Sequence, residues 1–186
     1  MTTPGYKEAR LAVQSWLKAS VAANELVGVQ RVYKDAPWWI AGPTFEVTPL
    51  TFGAALFVHI DRSRESRITI PAPDPQAGRS IDSGFVGQKL VQMTISVGIV
   101  YRYVIPSELT EEQLEDEWVT GLDGIIDGIK NRLRRDPLIG TTADTVFQAG
   151  QDDNDISIDH DLPTLDGGHV MCFARIQFSL DQIITA

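Results

Sequence analysis

Apolar and polar residues alternate most regularly over residues 86–104. Val91, Met93, Ile95, Val97, Ile99, Tyr101 and Tyr103 fall on one face, with Gln92, Thr94, Ser96 and Arg102 on the other. Period-two alternation rich in β-branched residues predicts a strand with one dry face. It is long for a strand, and a bend or bulge is expected at Gly98. A second alternating run spans residues 169–183. There Val170, Cys172, Ala174, Ile176, Phe178 and Leu180 oppose Arg175, Gln177, Ser179 and Asp181. Shorter strands are expected at residues 29–33 and 54–60, with another short extended piece around Phe45, Val47 and Leu50.

Two segments carry helical spacing. Over residues 6–24, Leu11, Val13, Trp16, Leu17 and Val21 form an apolar stripe among charged positions. From Thr110 a second helix opens on a capping box, Thr110-Glu111-Glu112-Gln113, with carboxylates where the helix dipole is positive. Leu114, Trp118, Leu122, Ile125, Ile126, Ile129 and Leu133 recur at threes and fours. Arg132, Arg134 and Arg135 complete the last turn, and Pro137 ends it. Between these elements lie three loop-like stretches. One at residues 35–43 is rich in Pro and Gly yet carries Trp38-Trp39. Residues 61–84, with Arg62, Arg64, Arg67 and three prolines, read as a projecting hairpin or arm. Residues 140–168 read mostly as loop, acidic over residues 150–168.

The order of elements predicts one domain over residues 1–186. Its class is α+β: a mainly antiparallel sheet with an N-terminal helix and one long amphipathic helix packed on it, plus the β excursion. The chain has 186 residues, 43% of them apolar, enough for a sizeable core. The formal net charge of −9 disfavours a grip on nucleic acid, because phosphate contacts need Lys and Arg. No secretory leader pattern and no membrane-spanning run of about 20 apolar residues is seen. A single cysteine, Cys172, excludes an intrachain disulfide and reads as a core residue.

Candidate chemistry is sparse. His59 falls inside an expected strand and reads as a half-buried sheet residue. His160 and His169 flank acidic residues Asp159 and Asp161, but at a spacing that matches no closed metal site. The run Asp153-x-Asp155-x-Ser157 begins like a calcium loop, yet Ile158 and Thr164 stand where Gly and Glu are needed. Nucleotide-binding glycine patterns and a GxSxG elbow are missing from the sequence. No cofactor is expected, and the chain reads as a non-enzyme. Trp38 and Trp39 are candidate interface anchors. Arg132, Arg134 and Arg135 could meet an acidic neighbour or simply complement the helix dipole.

Several segments together carry a resemblance. They are the N-terminal helix running into Val32-Tyr33-Lys34-Asp35-Ala36-Pro37, the buried strand Ala55-Leu56-Phe57-Val58-His59-Ile60, and Gly87-Gln88-Lys89-Leu90-Val91-Gln92-Met93 opening the long strand. The helix from Trp118 to Leu133 with its Arg134-Arg135-Asp136-Pro137 end, and the closing strand Ala174-Arg175-Ile176-Gln177-Phe178-Ser179-Leu180, complete the set. In this order and over nearly the whole chain, the pattern resembles the tail-terminator family of long-tailed bacteriophages. None of the pieces is a diagnostic motif alone.

The resemblance implies a virion protein assembled in the host cytoplasm. Its subunits would form a hexameric ring that caps the tail tube, stops its polymerisation and docks to the head connector. DNA would pass through the lumen without specific binding, past acidic walls. Its partners would be copies of itself, the tail-tube protein and the head-completion protein, with no membrane. Ring contacts are heterologous, and Trp38, Trp39, Arg62, Arg64, Arg67 and the α-helical arginines are the candidate patches. Three other readings remain open at this point: another neck or tail component, such as a head-closure or tube-like protein; a small metal-dependent or ligand-binding enzyme; and a host-derived interaction module unrelated to phage.

Overall fold

The computed structural model describes residues 5–35, 52–68, 88–104, 110–142, 145–149, 156–166 and 169–185. Trp38 and Trp39, the short extended piece expected around Phe45, Val47 and Leu50, residues 69–84 of the expected excursion and the first part of the acidic tract lie outside them. In chain order the elements are α1 (Tyr6–Ala22), β1 (Val29–Tyr33), β2 (Phe52–Ile68), β3 (Gln88–Val104), α2 (Glu111–Arg135), β4 (Leu138–Thr142), β5 (Thr145–Ala149), β6 (Ser157–His160), β7 (Thr164–Asp166) and β8 (His169–Thr185).

The domain is α+β, built on one mostly antiparallel sheet. Its centre is a set of three strands, β2, β3 and β8, each 17 residues long. β3 runs in register with β2 on one side and with β8 on the other. β1 adds to β2 in parallel; every other pairing is antiparallel. Along its far edge β8 meets three short strands in succession: β7 against Val170, β6 against Ile176, and β5 against Ile183. β4 pairs onward from β5.

Alternation decides what each face holds. Ala54, Leu56, Val58 and Ile60 of β2, the odd-numbered residues from Val91 to Tyr101 of β3, and Cys172 to Leu180 of β8 point one way. They share one buried cluster with both helices. α1 contributes Ala9, Val13, Trp16 and Leu17, and α2 contributes Leu122, Ile125, Ile126, Ile129 and Leu133. Each fully buried aliphatic side chain is worth roughly 1.5–3 kcal/mol, so this seam dominates the stability of the domain. Cys172 lies in it, as expected of a core cysteine. Among the described residues, no helix is long and apolar enough to cross a membrane.

Several expectations change. Leu11, placed in the α1 stripe, is 38% exposed, while Ala9 takes its place in the core. α1 stops at Ala22 because Asn24 adopts a left-handed φ of 58°. The amides of Asn24 and Glu25 then return to the carbonyls of Val21 and Ser20, which is the Schellman arrangement. Residues 61–68, read as the start of a projecting hairpin or arm, are the second half of β2 and run antiparallel to the next strand, as one side of a hairpin does. They pair with β3, which pairs in turn with β8. Gly98 is not a bulge. β3 is continuous there, and the register shift falls in β2 between Ile60 and Arg62. Residues 140–168, read as mostly loop, hold β5, β6, β7 and part of β4. Each is short, and pairing with β8 or a neighbour, more than its own pattern, makes it a strand.

Candidate functional site: the second sheet face

The second face of the sheet carries the even-numbered residues of β3 and the odd-numbered ones of β8. It divides along the strand direction. At one end Tyr33, Phe57, Met171 and Phe173 pack around buried Ala55 and Val100 in a small apolar cluster with no helix residue. The Phe57 ring lies directly over Gly98, its partner across the β2–β3 pairing. A glycine here lets an aromatic ring approach the backbone, so packing explains the residue better than a bend does.

Next to this cluster runs a polar row. Asp35, just past β1, accepts from Arg10 of α1 at 2.6 Å and stands 3.5 Å from Nδ1 of His59. The other ring nitrogen of His59 lies 3.8 Å from Asp61. Ser96 donates to the Asp61 carboxylate, and Gln177 of β8 donates to it at 2.9 Å. Gln177 also donates to the Ser96 hydroxyl at 3.1 Å. Ser157 of β6 donates to the Gln177 side-chain oxygen at 3.2 Å, closing the row at the far edge.

The β2 bulge makes this possible. Strict alternation would send residues 59, 61 and 63 to one face. The extra residue at the bulge instead lets His59, Asp61, Arg62 and Arg64 all serve the second face: His59 stands opposite Ser96, Arg62 opposite Thr94 and Arg64 opposite Gln92. Bulges commonly re-aim side chains in this way.

The order of the row is not that of a nucleophilic triad. The imidazole of His59 lies between two carboxylates, and the hydroxyl of Ser96 is bound to Asp61 rather than to the histidine. A serine activated by a histidine base needs the opposite order. His59 itself stands in β2 with a side-chain exposure of 49%, the half-buried sheet position expected of it. His160 ends β6 opposite Ala174, whereas His169 starts β8, so β7 lies between the two histidines. Among the described residues, no three His, Cys, Asp or Glu side chains converge as a metal site.

The candidate interface residues separate into two groups. Arg62 and Arg64 are exposed and make no ion pair among the described residues. Arg67 lies further along β2, opposite Lys89. Arg132 and Arg135, by contrast, are occupied within the chain. Arg132 donates to Glu25 at 2.9 Å and stacks over the Trp16 ring at 4.9 Å, and Arg135 donates to the other Glu25 oxygen. The Schellman turn that ends α1 delivers Glu25 to that position. Arg135 first, and then Arg132, holds the Glu25 carboxyl below the usual glutamate range, and Glu25 raises the Arg135 guanidinium in return. Arg134 is exposed beside them.

The polar row, the bulge and the Glu25 clamp were all missed from sequence. Each joins residues from separate elements, and only the outward parity of His59, Ser96 and Gln177 hinted at one of them. No family model matches the chain, and no curated protein matches it.

Proposed function

We propose that this chain is a ring-forming structural subunit of a long-tailed phage, the terminator that caps the tail tube and presents it to the head connector. The observation that supports this reading best is the pair of unlike surfaces on one sheet. Its three long strands pair along their length, with one bulge in β2 between Ile60 and Arg62. One side is covered by α1 and α2. The other carries an apolar end, a cross-strand polar row, and Arg62 and Arg64, which are exposed and make no ion pair among the described residues. Two different surfaces on opposite sides suit head-to-tail contacts, which close into rings. In this reading α2 corresponds to the family's long helix with a basic end, and the negative net charge lets DNA pass a lumen without adhering.

The test is negative-stain imaging of particles from a phage lacking this protein. Overlong or variable tails, detached from heads, are expected. Tails of normal length joined to heads would end the terminator reading. Copy number per particle separates it from the tube reading: one ring is expected, where a tube protein would be present many times over.

A further inference from the structure

The exposed side of α2 is acidic along one line. Glu112, Asp116 and Asp123 are all exposed, and their spacings of four and seven residues place them on one stripe of the helix. None of the three makes an ion pair among the described residues; Asp127, next in the stripe, is met by Lys130 at 3.3 Å. The buried residues of α2 face the core, and the acidic stripe runs along an exposed flank of the helix, about 100° around from them. On the opposite side of the molecule, Arg62 and Arg64 stand on the second sheet face, exposed and without an ion-pair partner among the described residues.

We infer that the acidic stripe of α2 in one copy docks against Arg62 and Arg64 of a second copy. This rests on the ring reading above and names its contact. Three arguments support it. The charges are complementary, and a chain of net charge −9 has few cationic patches with which to meet itself. The spacings agree: alternate residues of a strand lie about 7 Å apart, and residues four apart on a helix rise about 6 Å, so Arg62 and Arg64 can face Glu112 and Asp116 together. The two patches also lie on opposite sides of the sheet. A twofold pair would have to bring like patches together, whereas a head-to-tail contact joins unlike ones and repeats.

The experiment is sedimentation velocity on the full chain and two charge-reversed variants. One is Arg62→Glu/Arg64→Glu and the other Glu112→Lys/Asp116→Lys; thermal melts confirm that both are folded. The wild type should associate in low salt and weaken by about tenfold or more in high salt. Each variant alone should sediment as a monomer, because its two patches now carry the same sign. Mixed in equal amounts, the two variants should recover the wild-type species. Each reversed patch then meets an oppositely charged patch on the other variant, in alternation around the assembly. The neutral variant Glu112→Gln/Asp116→Asn, which cannot create repulsion, should weaken association without abolishing it. The contact is overturned if the reversed variants assemble as the wild type does, if mixing restores nothing, or if the wild type stays monomeric at every concentration and salt. The tail phenotype of the deletion phage is read independently, so the contact can fail while the terminator reading stands.

Discussion

The packing of Phe57 over Gly98 makes the sharpest energetic prediction. The two residues are direct cross-strand partners, and a methyl group built on Gly98 would overlap three atoms of the ring. Gly98→Ala must therefore push Phe57 off the sheet. Overpacking of this kind costs about 1–3 kcal/mol. Against that, replacing Gly by Ala within a strand gains about 0.5–1 kcal/mol of backbone entropy. Taking the middle of each range, Gly98→Ala should destabilise the protein by about 1.3 kcal/mol. In a Phe57→Ala background the ring is gone, and the same change should stabilise by about 0.7 kcal/mol. The double-mutant cycle should then show a coupling of about 2 kcal/mol, with the double variant more stable than additivity allows. Urea unfolding with linear extrapolation measures all four proteins, and a constant m-value shows that the denatured state is unaffected. If Gly98→Ala costs the same in both backgrounds, Phe57 does not cover Gly98 and the apolar end of the second face is wrongly assigned.

Other consequences can be checked with the same unfolding assay. α2 contains three glycines in unlike surroundings. A side chain at Gly124 would enter open space, whereas one at Gly121 would strike the Tyr101 hydroxyl. Gly124→Ala should raise stability by about 1 kcal/mol and Gly121→Ala should lower it; equal effects would contradict the placement of α2 on β3. Thr110 accepts from the Gln113 amide at 3.4 Å and Gln113 answers the Thr110 amide at 3.1 Å. Thr110→Ala should cost about 1 kcal/mol, and an unchanged midpoint would speak against the cap. Glu25 has a folded-state pKa held below its unfolded value by Arg135 and Arg132. Its contribution is therefore present above the unfolded value and is lost as pH falls through the folded one. Glu25→Gln should flatten the acid limb of the melting profile; an unaltered slope would mean that the clamp does not form.

The parts of the fold legible in sequence are those whose signals are local and repeated. β3 and β8 alternate over many residues, and the Thr110 box, the apolar stripe from Leu122 to Leu133 and the arginine-rich end of α2 all agree on one helix. Residues 61–68 were hidden for the opposite reason. Arg62, Ser63, Arg64, Glu65, Ser66 and Arg67 are polar at both parities, so no alternation shows, and pairing with β3 is what makes them a strand. β6 and β7, of 4 and 3 residues, are too short to display a period. The polar row was illegible because its members come from β2, β3, β6, β8, α1 and the end of β1. Asp61 reaches the row beside a bulge, and no residue type at that position announces one.

The arginines at the end of α2 lead to the last prediction. In the sequence they could either meet an acidic neighbour or complement the helix dipole. In the structure Arg132 is largely sequestered, with a side-chain exposure of 14%, and both it and Arg135 are held by Glu25. A neighbour would have to replace an intramolecular carboxylate that is already in place and gives up no translational freedom on pairing. Arg132 would also lose its stacking on Trp16, worth about 0.5–1 kcal/mol. Arg62 and Arg64 surrender nothing comparable. The two pairs of arginines should therefore respond in opposite ways. Arg132→Ala should lower the unfolding midpoint by at least the stacking contribution and leave association unchanged. Arg62→Ala/Arg64→Ala should leave the midpoint within about 0.5 kcal/mol of wild type and weaken association. Unfolding and sedimentation on wild type and both variants decide it. If Arg132→Ala dissociates the assembly at unchanged stability, the helix end is the true contact and the sheet face is not.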